Sequence, residues 1–324
     1  MVTVEYGDFR RLELMLALLQ KLITLTLIAA AGGWLLYFGR DAPVLAACGF
    51  LAILLGYALI LASEFVISHQ VNRSDPAPRP SFRQLLAAWL AEAIVAPRVF
   101  CWRQPFRSLL VPDRLAPTGM ARGQRGAVLI HGFFCNRGFW MPWLERLRAS
   151  GHAFIALDLE PVFGSIDDYV WQIDDAVGRI TVATGLPPLL VCHSMGGLAV
   201  RAWLRRMKAE ARVHHVVTIG TPHQGTWLAR FGHGRNSRQM RPVSDWLAKL
   251  DDGMPPDRHG LFICWYSNCD NIVFPASAAT LSGADNRLVQ GAAHVELAFR
   301  PALIDATLVL LEQPFSSTDL AIQQ

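Results

Sequence analysis

The chain has 324 residues, 52% of them hydrophobic and 17% charged, with a formal net charge of +4. That length exceeds one small domain and suits a large α/β domain with an appendage. The charge is uneven: between Ser68 and Arg125, nine arginines (73, 79, 83, 98, 103, 107, 114, 122 and 125) face only Asp75, Glu92 and Asp113, a local +6. A basic block beside an apolar segment points to anionic lipid head groups rather than nucleic acid, for which the sequence carries no motif. The six cysteines, 48, 101, 135, 192, 264 and 269, form neither a CxxC pair nor a disulfide framework, so a cytosol-facing domain with free thiols is the simplest reading.

Much of the apolar excess sits in the first 67 residues. Leu22 to Phe38 is an uncharged run, with Glu13 and Lys21 just upstream. After the turn Gly39-Arg40-Asp41-Ala42, Pro43 begins a second run that stays apolar through Leu61 and reaches Ile67, with Glu64 near its end. Each run is long enough to cross a hydrocarbon core of roughly 30 Å. A cleaved signal peptide fits poorly, because a second span follows at once and no small-residue cleavage site is evident. Arg10, Arg11 and Lys21 precede the first span, Arg73, Arg79 and Arg83 follow the second, and the turn carries only Arg40. The positive-inside rule then puts both ends in the cytoplasm. The expectation is an inner-membrane hairpin carrying a cytoplasmic domain.

Asp75-Pro-Ala-Pro-Arg-Pro80 reads as a stiff linker. Phe82, Leu85, Leu86, Trp89, Leu90, Ala93 and Ile94 then repeat at helical spacing. From Arg98 to Arg107, arginines alternate with aromatics. Two readings stay open for this segment: a helix lying in the membrane interface, or one docked on the following domain.

From about Arg122 short apolar strands alternate with helices. Ala127–Ile130, Ala153–Leu157, Leu189–Cys192, Val213–Ile219 and Leu261–Tyr266 read as strands. Asp167–Ala183 and Met195–Lys208 read as helices. Near-continuous apolar strands between helices predict a parallel sheet covered on both faces. Such sheets carry their chemistry at the carboxyl ends of strands. There, Cys192-His-Ser-Met-Gly-Gly197 joins a strand to a helix in one sharp turn. Ser194 is the candidate nucleophile, and small residues on either side let strand and helix approach. Gly196 fits this pattern, and Cys192 stands where glycine is usual. The amide of Met195 at the helix N-terminus can bind an oxyanion. His131-Gly-Phe133 follows an earlier strand, and the amide of Phe133 is the candidate second donor. His131 is expected to shape that loop, with a place among the substrate-binding candidates.

A serine nucleophile needs a base, and the base needs an orienter. Asp270 and His294 both lie at strand-to-loop transitions downstream of Ser194, in the order serine, acid, histidine. Asp245 and Asp251 fall in a probable lid, and Asp285 reads as a turn residue before the last strand. His223, His233 and His259 come before the acid, and His214-His215 begins a strand. No convergent set of ligands suggests a metal, and no cofactor is implied.

Taken together, His131-Gly-Phe133, Glu160–Asp167, Cys192–Gly197, Gly220–Thr226, Asp270 and His294 resemble the bacterial lipase and esterase branch of the α/β-hydrolases, over roughly residues 122–312. The resemblance implies an α/β-hydrolase fold and hydrolysis of carboxylic esters through an acyl-enzyme. It also implies a cap at about 227–260, where Trp227, Phe231, Met240, Trp246 and Leu247 either line an acyl pocket or pack the cap itself. The expected organisation is a transmembrane hairpin (1–70), a basic linker and amphipathic helix (71–121), a catalytic domain (122–312) and a C-terminal tail (313–324). The expected activity is a membrane-anchored hydrolysis of lipid or other hydrophobic esters. An acyltransferase or thioesterase using the same triad, or a non-catalytic membrane scaffold, remain alternatives.

Overall fold

The computed structural model describes residues 6–115, 123–253 and 256–312. The expected C-terminal tail, 313–324, and Arg122 of the basic block lie outside them. Side chains are described from Met15 onward, those of Pro256 and Asp257 apart, so Arg10, Arg11 and Glu13 are known only as helical backbone.

Two long helices come first, α1 (Tyr6–Phe38) and α2 (Pro43–Val71), packed against each other. Pro43 opens α2, where its missing N–H costs nothing. A third helix, α3 (Phe82–Pro97), is capped by Ser81, whose hydroxyl accepts the Gln84 amide while the Gln84 side chain returns to the Ser81 amide. It runs on through a π-helical turn (Arg98–Arg103) into α4 (Gln104–Arg107). Three stretches, Met15–Phe38, Pro43–Ser74 and Phe82–Arg107, are long and apolar enough to cross a membrane, one more than expected.

The stripe of the third helix has two faces. Ala88 and Glu92 are buried against the rest of the protein, while Phe82, Leu86, Leu90 and Ile94, four residues apart, stay exposed. The Trp89 indole donates to the Ala58 carbonyl at 2.8 Å and the Tyr57 hydroxyl to the Ala93 carbonyl at 2.5 Å, tying α3 to α2. The linker before α3 is no free spacer. Asp75 accepts from the Ser277 amide and hydroxyl, and the Pro78 carbonyl accepts from Asn268.

The chain beyond the helices builds a six-stranded sheet, β1 (Ala127–Ile130), β2 (Phe154–Ala156), β3 (Leu189–His193), β4 (His215–Ile219), β5 (Phe262–Ser267) and β6 (Asp285–Val289). The order is β2-β1-β3-β4-β5-β6 and every pairing is parallel. Asp285 begins β6 and pairs with Arg287 at 2.6 Å, so it is a strand residue rather than a turn. Alternate residues feed two cores. Val128, Ile130, Leu190 and Cys192 face α6 (Val170–Thr184) and α7 (Met195–Met207). Ala127, Leu129, Leu189 and Val191 face α5 (Met141–Ala149) and α11 (Pro301–Glu312). The chain turns left from β1 to β2 and right from β3 onward, so the β1 and β3 ends meet at a topological switch point, where open α/β sheets bind ligands.

Candidate active site

Ser194 sits between β3 and α7 with φ +52 and ψ −127, a conformation that side chains rarely adopt. The chain holds it there by close approach. A Cβ on Gly196 would press on the carbonyls of Ile130 and His131, the latter at 2.6 Å, so only glycine lets α7 reach β1. Cys192 is fully buried in the core below the turn, which explains why a small thiol is accepted there. Met195 opens α7, and the first amides of a helix have no partner within it. Gly132 lies against the serine: a Cβ on it would sit 2.8 Å from Ser194 Cβ. The loop carrying Phe133 therefore passes directly beside Ser194.

Asp270 and His294 come together. The His294 Nδ1–H donates to Asp270 Oδ2 at 2.9 Å, and both side chains are at least nine-tenths buried. Asp270 Oδ1 accepts the amides of Ile272 and Val273, which fixes the carboxylate from the other side. Burial, the largest single influence, pulls the His294 imidazole down, but the charge and hydrogen bond of Asp270 together with Glu92 and Glu64 outweigh it, so the net shift is upward from the ordinary imidazole value. Gly220, at φ +56, leaves room for this pair: a Cβ there would come within 3.1 Å of Asp270 Oδ2. Ser194 and His294 line one cleft of about 240 Å³.

His131 is committed to its loop. Its Nδ1–H donates to the Gly132 carbonyl at 2.8 Å and its Nε2 accepts the Leu159 amide at 3.0 Å. Burial lowers it to about 4, so it stays neutral. The cap region holds α8 (Arg235–Gln239) and α9 (Asp245–Asp252). Its candidate residues do not reach the cleft. Trp227 stacks on Phe274 and meets Phe231 edge-on, Met240 and Leu247 are buried in the core, and Trp246 donates to Asp167 at 2.8 Å. Asp245 begins α9, and Asp251 pairs with buried Arg201 at 2.5 Å. Asp251 is thus occupied away from His294.

Sequence reasoning missed the residues that brace the site from the N-terminal helices. Gln20 of α1 donates to the Phe134 carbonyl at 3.2 Å, beside Phe133. From α2, the Ser68 hydroxyl donates to the Asp270 carbonyl at 2.7 Å, and Glu64 accepts from the Asn271 amide group at 2.8 Å. The Asn271 side-chain oxygen in turn accepts the His294 amide at 3.1 Å. From α3, Glu92 accepts the amides of Val295 and Glu296, both at 3.0 Å, at the start of α10 (His294–Leu297). His193 adds a contact from the end of β3: its Nε2–H donates to the His294 carbonyl at 3.2 Å while its ring stacks on Phe139. The one available signal was charge inside apolar runs, since an ionisable residue in such a segment marks a functional place.

Among the described residues no group of three or more His, Cys, Asp or Glu is arranged to hold a metal ion. Residues 127–317 match the model of the alpha/beta hydrolase family. Among solved structures the chain is similar to the lipase BlEst2 of Bacillus licheniformis in its mature form, at 18% identity and a TM-score of 0.52, covering 59% of this chain and 93% of that one. It is also similar to lipase B of Aspergillus fumigatus, at 16% identity and a TM-score of 0.52, covering 61% of this chain and 56% of that one. At these identities the likeness is one of fold. No match is found among curated proteins. The family match spans more than half of the sequence and contains the sheet, the turn at Ser194 and the Asp270–His294 pair: this chain belongs to the alpha/beta hydrolase family.

Proposed function

We propose that the protein is a membrane-anchored serine carboxylester hydrolase acting on hydrophobic esters. The observation that carries this reading is the shared cleft of Ser194 and His294, with His294 oriented by Asp270 at 2.9 Å. In the reaction, Ser194 Oγ attacks the ester carbonyl carbon while His294 Nε2 takes its proton. The amides of Phe133 and Met195 receive the oxyanion. The alcohol leaves with the proton from His294, forming an acyl-enzyme. A water, deprotonated by His294, then attacks the acyl carbon and releases the carboxylic acid. Asp270 holds the imidazole tautomer and stabilises its charged form throughout. The two lipases similar in fold support ester chemistry as the direction of this proposal.

Residues 122–312 form the catalytic unit of this reading, with 227–260 as its cap. The hairpin, 1–70, anchors it in the inner membrane, and the basic segment, 71–121, joins the two. The arginine-rich flanks favour both hairpin ends in the cytoplasm. Labelling with a fluorophosphonate tests the chemistry: wild type is expected to label and Ser194→Ala is not. Absence of Ser194-dependent labelling removes the catalytic reading. A reporter fused after Ile67 tests the orientation, and activity confined to the outer side overturns it.

A further inference from the structure

The cleft beside Ser194 is not walled by the catalytic domain alone. Leu61 and Glu64 of α2, with Glu92 and Ala96 of α3 and Phe100 just beyond it, line it together with Phe133 and Ile272. Those helices have outer surfaces that are apolar and exposed. Ile60 and Val66 flank the lining residues of α2, and Ile94 and Trp102 flank those of the third helix. The cleft therefore lies immediately behind a surface suited to lipid.

Depth can be read from the helices. Leu61 is 18 residues beyond Pro43, or about 27 Å at 1.5 Å per residue, close to the thickness of a hydrocarbon core. Glu64 is the first charged residue of α2 and marks the boundary with water. The partner helix agrees. Gln20 of α1, which holds the Phe134 carbonyl, lies 18 residues before Phe38 at the same hairpin turn. Two helices thus place their contacts with the catalytic loops at one level, where the ester groups of a bilayer lipid meet its acyl chains. The charged residues lining the cleft are carboxylates, Glu64 and Glu92, and no lysine or arginine lines it among the described residues. The lining therefore offers an anionic group no lysine or arginine to pair with beside the reacting ester.

We propose that the space between α2 and α3 is an acyl-chain site for a neutral long-chain ester resident in the bilayer. The chain enters sideways from the membrane, past Leu61, Ala96 and Phe100, and carries its carbonyl to Ser194. The proposal rests on the serine-hydrolase reading above. It moves the acyl pocket from the cap to helices that precede the catalytic domain.

The test uses the full-length protein in phosphatidylcholine vesicles and compares Ser194 labelling by ethyl and hexadecyl fluorophosphonates. Wild type is expected to label faster with the hexadecyl probe. Ala96→Trp fills the gap between the helices and is expected to cut the hexadecyl-to-ethyl rate ratio about tenfold or more. Leu61→Ala removes part of the wall without crowding it and is expected to lower the ratio about threefold, which keeps the test open if the tryptophan variant does not fold. An unchanged ratio in Leu61→Ala overturns the acyl site while leaving Ser194 as nucleophile. A ratio that falls in Trp246→Ala but holds in Leu61→Ala puts the chain under the cap and also overturns it. Failure of both probes to label wild type at Ser194 strikes the hydrolase reading itself.

Discussion

The carboxylate of Glu92 accepts the backbone N–H of Val295 at 3.0 Å, one residue beyond His294. It joins a helix outside the α/β domain to the loop of the candidate base. The same division of labour recurs in the other two N-terminal helices. Gln20 of α1 holds the loop of Phe133, Ser68 and Glu64 of α2 hold the loop of Asp270, and Glu92 of α3 holds the turn of His294. The loops of Phe133, Asp270 and His294 are thus each reached by a different one of α1, α2 and α3.

Replacing Glu92 is therefore expected to disturb catalysis as well as stability. Glu92→Ala leaves the buried amide of Val295 and the part-buried amide of Glu296 without an acceptor, at about 1–3 kcal/mol for the buried one and less for the other. Thermal unfolding should move down by several degrees and kcat should fall about tenfold, with KM changing less. Glu92→Gln keeps one carbonyl acceptor and should lie between alanine and wild type. An alanine variant with wild-type Tm and kcat would show that the brace is idle.

The pH profile follows from His294. The imidazole must be neutral to accept the Ser194 proton, and its pKa is raised above the usual 6.5 because Asp270, Glu92 and Glu64 together outweigh its burial. Activity should be full at alkaline pH and fall as pH drops through a midpoint above 6.5. Glu92 contributes to the upward shift, so Glu92→Gln should move the midpoint to lower pH. Asp270→Asn should cost about 10³–10⁴ in kcat, by analogy with other triads. The check is kcat/KM against pH in wild type and Glu92→Gln. A midpoint that stays put or rises in the variant would contradict the electrostatic account.

How much of this was legible in the sequence depends on the range of the interaction. Ser194 and its turn are written in six consecutive residues, and Gly196 is dictated by backbone atoms it nearly touches. Asp270 and His294 were found because strand ends carry the chemistry of a parallel sheet, a rule that needs only strand boundaries. The braces were not found, because Glu92 and Val295 are 203 residues apart and Ser68 and Asp270 are 202 apart. Nothing local marks such a partner beyond an acidic group in an apolar helix. The cap candidates show the opposite failure. The sequence leaves Trp246 and Leu247 as either acyl-pocket lining or packing of the cap itself, because apolar spacing cannot say what a face meets, and here both pack against the core. The apolar stripe of α3 likewise hid two faces, one docked and one exposed.

Separating the helical hairpin from the rest should not give a working soluble enzyme. A chain beginning after Val71 loses the donor to the Asp270 carbonyl, the Glu64–Asn271 bond and the Gln20 contact at Phe134. It also uncovers the apolar faces that α1 and α2 cover. Fluorophosphonate labelling of Ser194 is expected to drop at least tenfold relative to the full chain in detergent. Equal labelling rates would mean that the hairpin is an anchor and nothing more.

The two glycines beside Ser194 separate folding from chemistry. A methyl at position 196 meets the carbonyls of Ile130 and His131, which belong to β1 and its loop and cannot yield without parting α7 from the sheet. Gly196→Ala is expected to express poorly or unfold several degrees lower, an overpacking cost of about 1–3 kcal/mol or more. A methyl at position 132 instead meets Ser194 Cβ at 2.8 Å and the His193 carbonyl at 3.2 Å. The strain there falls on the nucleophile and on the neighbouring amide of Phe133, so Gly132→Ala should fold but lose about 10²-fold in kcat, as when an oxyanion donor is removed. Melting temperatures and kcat measured on both variants check this. A Gly132→Ala enzyme with wild-type kcat would mean that the Phe133 loop can move away from Ser194 without consequence, and the oxyanion role assigned to it would fail.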